Sequence, residues 1–123
     1  MDWKHGNTLY APGTEVAIVY KMTFNGYWYI GKKQIVSSSG KATNWKSYYG
    51  SGKRWLKHIE GNEALVSREV LYLCANKVES TYYENYELYS RHAIFQEKSM
   101  NDNVAMTANR RNTKNFKNKP ETL

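Results

Sequence analysis

Little in this chain can support disulfide, thiol or membrane chemistry. Only Cys74 among its 123 residues is a cysteine, so neither a disulfide framework nor a cysteine-based zinc site can be built. It ends the apolar run Val70-Leu71-Tyr72-Leu73-Cys74 and reads as a small buried thiol. No apolar run is long enough to cross a bilayer, and Met1-Asp2-Trp3-Lys4-His5-Gly6 lacks the hydrophobic centre of a secretion signal, so a cytoplasmic location is expected. Proline occurs twice, once in Pro12-Gly13, a turn ahead of the first clear strand. Acidic residues are outnumbered, 11 Asp and Glu against 18 Lys and Arg, a formal charge of +7. That excess favours a polyanionic partner without separating DNA, RNA and acidic membranes. The length suits one domain with a small core.

Tyrosine is what the chain has in quantity, with 11 residues. Two of them, Tyr20 and Tyr29, flank Asn25-Gly26, the strongest short-range signal for a two-residue hairpin turn, because both central residues need positive φ. That turn pairs Phe24 with Tyr27, Met22 with Tyr29 and Tyr20 with Gly31, and makes the two phenols diagonal neighbours on one face. Gly31 then leaves room for a ligand to approach the backbone. Residues 1–14 read as a loose lead-in and residues 34–52 as a long loop insertion. Ser51 is the expected N-cap of a short helix carrying Trp55, Leu56 and Ile59, with Gly61 just past its end. A third strand is expected over residues 66–74. Asn76 and Glu79 signal the start of a helix over residues 77–94, in which Val78, Tyr82, Tyr86 and Tyr89 recur at helical spacing. The expectation is an α/β (α+β) domain over residues 15–105, a small three-stranded antiparallel sheet flanked by helices in the order ββαβα. Residues 106–123 read as a basic flexible tail.

The hairpin tripeptides Ile18-Val19-Tyr20 and Tyr29-Ile30-Gly31 resemble those that name the GIY-YIG nuclease superfamily, with two departures in the first. Lys53-Arg54-Trp55-Leu56-Lys57-His58 is similar to a run in the homing members, and Tyr48-Tyr49-Gly50-Ser51-Gly52 after Tyr29-Ile30-Gly31-Lys32 is similar to the free-standing, phage-type members. The resemblance implies that Arg54 steadies the phosphate and His58 assists. It implies that Glu84 is the metal ligand, with Glu87 its competitor, and that a late asparagine contributes, Asn103 fitting best beside Asn101 and Asn85. A single carboxylate suits Mg²⁺ (or Mn²⁺), which takes the rest of its shell from water and substrate phosphate. Tyr29 would hold phosphate or water. The general base stays open between Tyr20, Lys33 and a water relay, since a phenol of pKa about 10 needs help near neutral pH.

Lys32, Lys33, Lys41, Lys46, Lys53, Lys57, Arg110 and Arg111 are either phosphate-positioning charges or solubility charges. Trp45, Tyr48 and Tyr49 either touch DNA or fold their loop onto the hairpin. The expected function is a divalent-metal-dependent DNA endonuclease. The homing relatives append a DNA-binding domain for which this chain has no room, so low sequence specificity is expected. A phage-encoded chain would work in the host cytoplasm, and a homodimer would serve if two strands are cut in concert. Two alternatives stand beside this reading: a metal-independent ribonuclease using His58, Glu84 and Arg54, and a nucleic-acid-binding protein without catalysis.

Overall fold

The computed structural model describes residues 1–104, 108–111 and 114. Among these, the chain forms β1 (Trp3–His5), β2 (Thr8–Leu9), β3 (Ala17–Phe24), β4 (Tyr27–Gln34), α1 (Lys53–Ile59), β5 (Ser67–Cys74), α2 (Lys77–Ser90), β6 (Asn103–Val104) and β7 (Ala108–Asn109). The order ββαβα holds from β3 to α2. The sheet, however, has five strands in the order β2-β1-β5-β3-β4, not three. The two additions come from the presumed lead-in. β1 runs parallel to β5 and antiparallel to β2. What anchors it is Trp3, which is 2 % exposed, donates Nε1–H to the Trp45 carbonyl at 2.8 Å, and meets Tyr20 edge-to-face at 5.4 Å. Gly6, at φ 63°, takes the first position of the β1–β2 turn.

The β3–β4 register is the one Asn25-Gly26 dictates: Phe24 faces Tyr27, Met22 faces Tyr29 and Tyr20 faces Gly31, with Asn25 and Gly26 at φ 54° and 82°. β3 also pairs with β5, where Val19 faces Tyr72 but Tyr20 faces Val70, leaving Leu71 as the extra residue of a bulge. The bulge moves β5 by one step in its in-out alternation. Val70 therefore joins Ile18, Tyr20 and Met22 on the face covered by Trp55 and Ile59 of α1, while Cys74 joins Ala17, Val19 and Ile30 under Leu88 of α2. Cys74 is fully buried, and burial, with Glu79 nearby, pushes its thiol up to about 11, consistent with an inert core residue.

Residues 35–52 lie against the first of these faces. Trp45 is buried, and Arg68, itself 4 % exposed, donates to the carbonyls of Lys46 and Tyr48 at 2.8 and 2.9 Å. Its guanidinium lies 4.2 Å from the Tyr49 ring. Trp45 is packed into the core, while Tyr48 and Tyr49 pack against it and stay partly exposed. The α1 N-cap is Gly52, not Ser51, and Gly61 has φ 80° just beyond the helix. α2 begins as expected, with the Glu79 amide bonded to Asn76 Oδ1 at 2.9 Å and the Glu79 carboxylate accepting the Ala75 amide. It ends at Ser90, four residues early, because His92 turns left-handed (φ 51°) and Ala93–Phe95 make a 3-10 turn that buries Ala93 and Ile94. Val78, Tyr82, Tyr86 and Tyr89 form its outer face, 52–79 % exposed, since Leu88 and Tyr83 pack inward.

Candidate active site

The β4 edge is covered by the chain itself. Trp28 accepts from the Met100 amide at 2.7 Å and donates to the Lys98 carbonyl at 2.9 Å, so residues 98–101 run along β4 like a sixth strand. Asn101 completes the pairing with its side chain: Oδ1 accepts the Ile30 amide and Nδ2 donates to the Ile30 carbonyl, both at 2.8 Å. Beyond this edge opens a cavity of about 610 Å³. Tyr29, Ile30 and Lys32 of β4 line it, with Gly52, Lys53 and Arg54 at the start of α1 on one side. Thr81, Glu84, Asn85 and Leu88 of α2 line the other side, and Met100, Asn101, Asp102 and Asn103 close it.

Of the residues that the sequence nominates, Tyr29, Arg54, Glu84, Lys32, Lys53 and all three late-asparagine candidates, Asn85, Asn101 and Asn103, meet in this cavity. Tyr29 is stacked on Trp55 (5.7 Å between centroids, 12° between planes). Gly50 and Gly52 let the loop close over it, because a Cβ at Gly52 would come within 2.8 Å of the Tyr29 ring and one at Gly50 within 2.9 Å of Trp55. Burial raises the Tyr29 pKa, against a downward pull from the Ser51 hydroxyl. Burial also raises the Glu84 carboxyl, with Lys32 opposing. Lys32 reaches back to the same helix, its ammonium donating to Thr81 Oγ1 at 2.6 Å.

Arg54 is fixed by a residue that sequence reasoning missed. Its Nε and Nη2 fork onto Asp102 at 3.0 and 2.7 Å, and Nη2 also reaches the Ser99 carbonyl at 3.0 Å. Asp102 is shared: Arg110 Nε donates to the same oxygen at 2.9 Å. Burial alone would raise the Asp102 carboxyl, but the two guanidiniums hold it below the usual carboxylate range. Arg110 further donates to the carbonyls of Ile94, Gln96 and Ser99, tying residues 93–102 together. The only signal for Asp102 in the sequence is its place beside Asn101; nothing there pairs it with a residue 48 positions earlier.

Tyr20, His58, Lys33 and Glu87 lie outside the cavity lining. Tyr20 is 1 % exposed, between Trp3, Tyr48 and Tyr29, the last at 6.4 Å. Burial, with Tyr48 and Tyr29 adding, holds its pKa well above the ordinary phenol value. The room above Gly31 is not left for a ligand: a Cβ there would collide with the Tyr20 hydroxyl, so the tyrosine fills the space the glycine vacates. His58 points to the hairpin tip, its Nε2 3.1 Å from the Phe24 carbonyl and its ring 5.0 Å from Tyr27. It thus does not line the cavity that Glu84 and Arg54 share, although it follows Arg54 by one helical turn. Lys33 lies over the Tyr48 ring at 4.5 Å. Glu87 is 8 % exposed and occupied by Arg91 at 2.9 Å and the Tyr72 hydroxyl at 3.0 Å. Lys41, Lys57 and Arg111 are exposed, Lys46 lies 5.7 Å from the Trp45 ring, and most of the expected tail falls outside the described residues.

A mixed sheet whose hairpin ends in Ile18-Val19-Tyr20 and Tyr29-Ile30-Gly31, with Arg54 and Glu84 facing one cavity at its edge, has the make-up of a GIY-YIG domain. Residues 3–111 match the family model described as "Putative endonuclease segE, GIY-YIG domain", and the chain belongs to that family. Membership makes it a nuclease domain. No curated protein and no solved structure matches the chain. No described helix is long and apolar enough to cross a membrane.

Proposed function

We propose that this chain is a divalent-metal-dependent DNA endonuclease that hydrolyses phosphodiester bonds with low sequence specificity. The observation that supports it most is the convergence of Glu84, Arg54, Lys32 and Tyr29, from two helices and an edge strand, on one open cavity. No group of three or more acidic, histidine or cysteine side chains able to hold a metal occurs among the described residues. A lone, desolvated Glu84 fits Mg²⁺ or Mn²⁺ held mainly by water and substrate phosphate, and does not fit an all-protein cage. Bound there, the ion would lower the pKa of a water and spread the charge of the reacting phosphate.

The protein's own groups supply the rest. Arg54, forked in place by Asp102, presents a fixed cation to a non-bridging phosphate oxygen, and Lys32 and Lys53 add charge beside it. Tyr29 keeps its proton near neutral pH and so donates a hydrogen bond to phosphate or water. Tyr20, buried beneath Tyr29, packs against its ring and helps to set its position. Low specificity fits lysine and arginine contacts, which position a backbone and do not read bases.

A supercoiled plasmid tests this reading. Nicked or linear product is expected with Mg²⁺, and none with EDTA or with Glu84→Ala. Full cleavage by Glu84→Ala would end the assignment of Glu84. Cleavage of RNA but not DNA in chelator would replace the function altogether.

A further inference from the structure

Around the β4 edge from the catalytic cavity lies a second one, of about 390 Å³. Three lysines line it: Lys32 and Lys33 of β4, and Lys77, the first residue of α2. Tyr48 and Gln34 contribute polar groups, and none of the described lining residues is a carboxylate. Lys32 lines both cavities, so they adjoin at its side chain. Packing does not account for this grouping. Like charges converging in one concavity repel, and a cation at the first residue of a helix opposes the helix dipole. Lys77 is exposed, and no ion pair involves any of the three lysines among the described residues. Among the described residues the Lys33 ammonium meets the face of Tyr48, a contact that leaves its charge in place.

We infer that this cleft is a phosphate subsite, which holds a backbone phosphate next to the one at Arg54 while Lys32 bridges the two. The inference rests on the proposed nuclease function and extends it. The strand would be gripped at two phosphates, and the substrate would have to be a polynucleotide, since a mononucleotide can occupy one cavity only. Lysine suits the task as a point charge on a long stem that adapts to a mobile backbone.

The test measures duplex DNA affinity in chelator at 50 and 200 mM salt for the wild type, Lys77→Ala, Lys33→Gln and Lys4→Ala. Lys4, on β1 near the opposite edge of the sheet, removes the same charge away from the cleft. Losing one phosphate contact lowers the logarithmic salt slope by about 0.9, so the affinity ratio between the two salts should shrink about 3.5-fold in Lys77→Ala and in Lys33→Gln. Lys4→Ala should keep the wild-type ratio. Lys77→Ala should melt no lower than the wild type, because its charge opposes the helix. If both cleft variants behave like Lys4→Ala, or if the wild type does not bind duplex DNA, the subsite is overturned. Should the wild type cleave plasmid with Mg²⁺ while the cleft variants keep its ratio, only the subsite fails. If they lose the ratio while the wild type fails to cleave, the subsite stands and the nuclease reading fails.

Discussion

Tyr20 and Tyr29 differ by a single diagonal step on the hairpin, yet their surroundings assign them opposite work. Tyr20 lies beneath the surface with its hydroxyl over Gly31, whereas Tyr29 faces the cavity and stacks on Trp55. Tyr20→Phe is therefore expected to keep cleavage within a few-fold. Tyr29→Phe, which removes the hydroxyl proposed to donate to phosphate or water, should lower kcat by about 10²–10³; plasmid cleavage under saturating DNA compares them, and equal losses would return Tyr20 to the chemistry. Glu84 offers a test that needs no substrate. Burial raises its carboxyl, so the folded chain holds that proton more tightly than the unfolded one. Its contribution to stability is whole below the unfolded pKa, about 4.3, and is lost as pH rises through the folded value. Glu84→Gln is neutral throughout. It should melt above the wild type at pH 7 and level with it near pH 4, measured by thermal unfolding; a lower melting point at pH 7 would contradict a desolvated Glu84.

The segment after α2 shows where reading the sequence stops. The hairpin was legible because Asn25-Gly26 allows one register, and α2 because Asn76 and Glu79 cap it locally. Residues 98–101 have neither periodicity nor a turn signal. They become a pseudo-strand only because the β4 edge exposes backbone groups that Asn101 and Met100 satisfy. The same long-range pairing conceals Asp102. The Arg54–Asp102 pair is 44 and 41 % exposed, so it adds little stability, about 0–1 kcal/mol. Its effect should appear in orientation. Asp102→Asn is expected to leave the melting temperature nearly unchanged and to lower kcat, because Arg54 loses its fork. Affinity for DNA should rise as a negative charge leaves the cavity. Steady-state kinetics separate these effects, and an unchanged kcat would show that Arg54 needs no positioning. β1 was not legible: it lies in the expected lead-in, Trp3 is a single apolar residue among polar ones, and its anchoring depends on Trp45 and Arg68, far along the chain.

The net charge of +7 treats all cations alike, and the folded chain does not. Lys32, Lys33, Lys53 and Lys77 line the two adjoining cavities, Arg54 is held by Asp102, and Lys4, Lys41 and Lys57 lie elsewhere on the surface. With one phosphate held at Arg54 and one in the lysine cleft, the logarithmic salt slope on duplex DNA should be about −1.8, well short of what the net charge suggests. Arg110 separates this distribution from composition. By sequence it is one more basic residue in a basic tail. In the fold its guanidinium is spent on Asp102 and on the carbonyls of Ile94, Gln96 and Ser99. Arg110→Ala should therefore leave the salt slope unchanged, while it lowers the melting temperature and kcat by loosening residues 93–102 and, through Asp102, Arg54. A slope reduced by about 0.9 with kcat intact would instead make Arg110 a phosphate contact. The two results exclude each other, because one guanidinium cannot hold the turn and the DNA backbone with the same N–H groups.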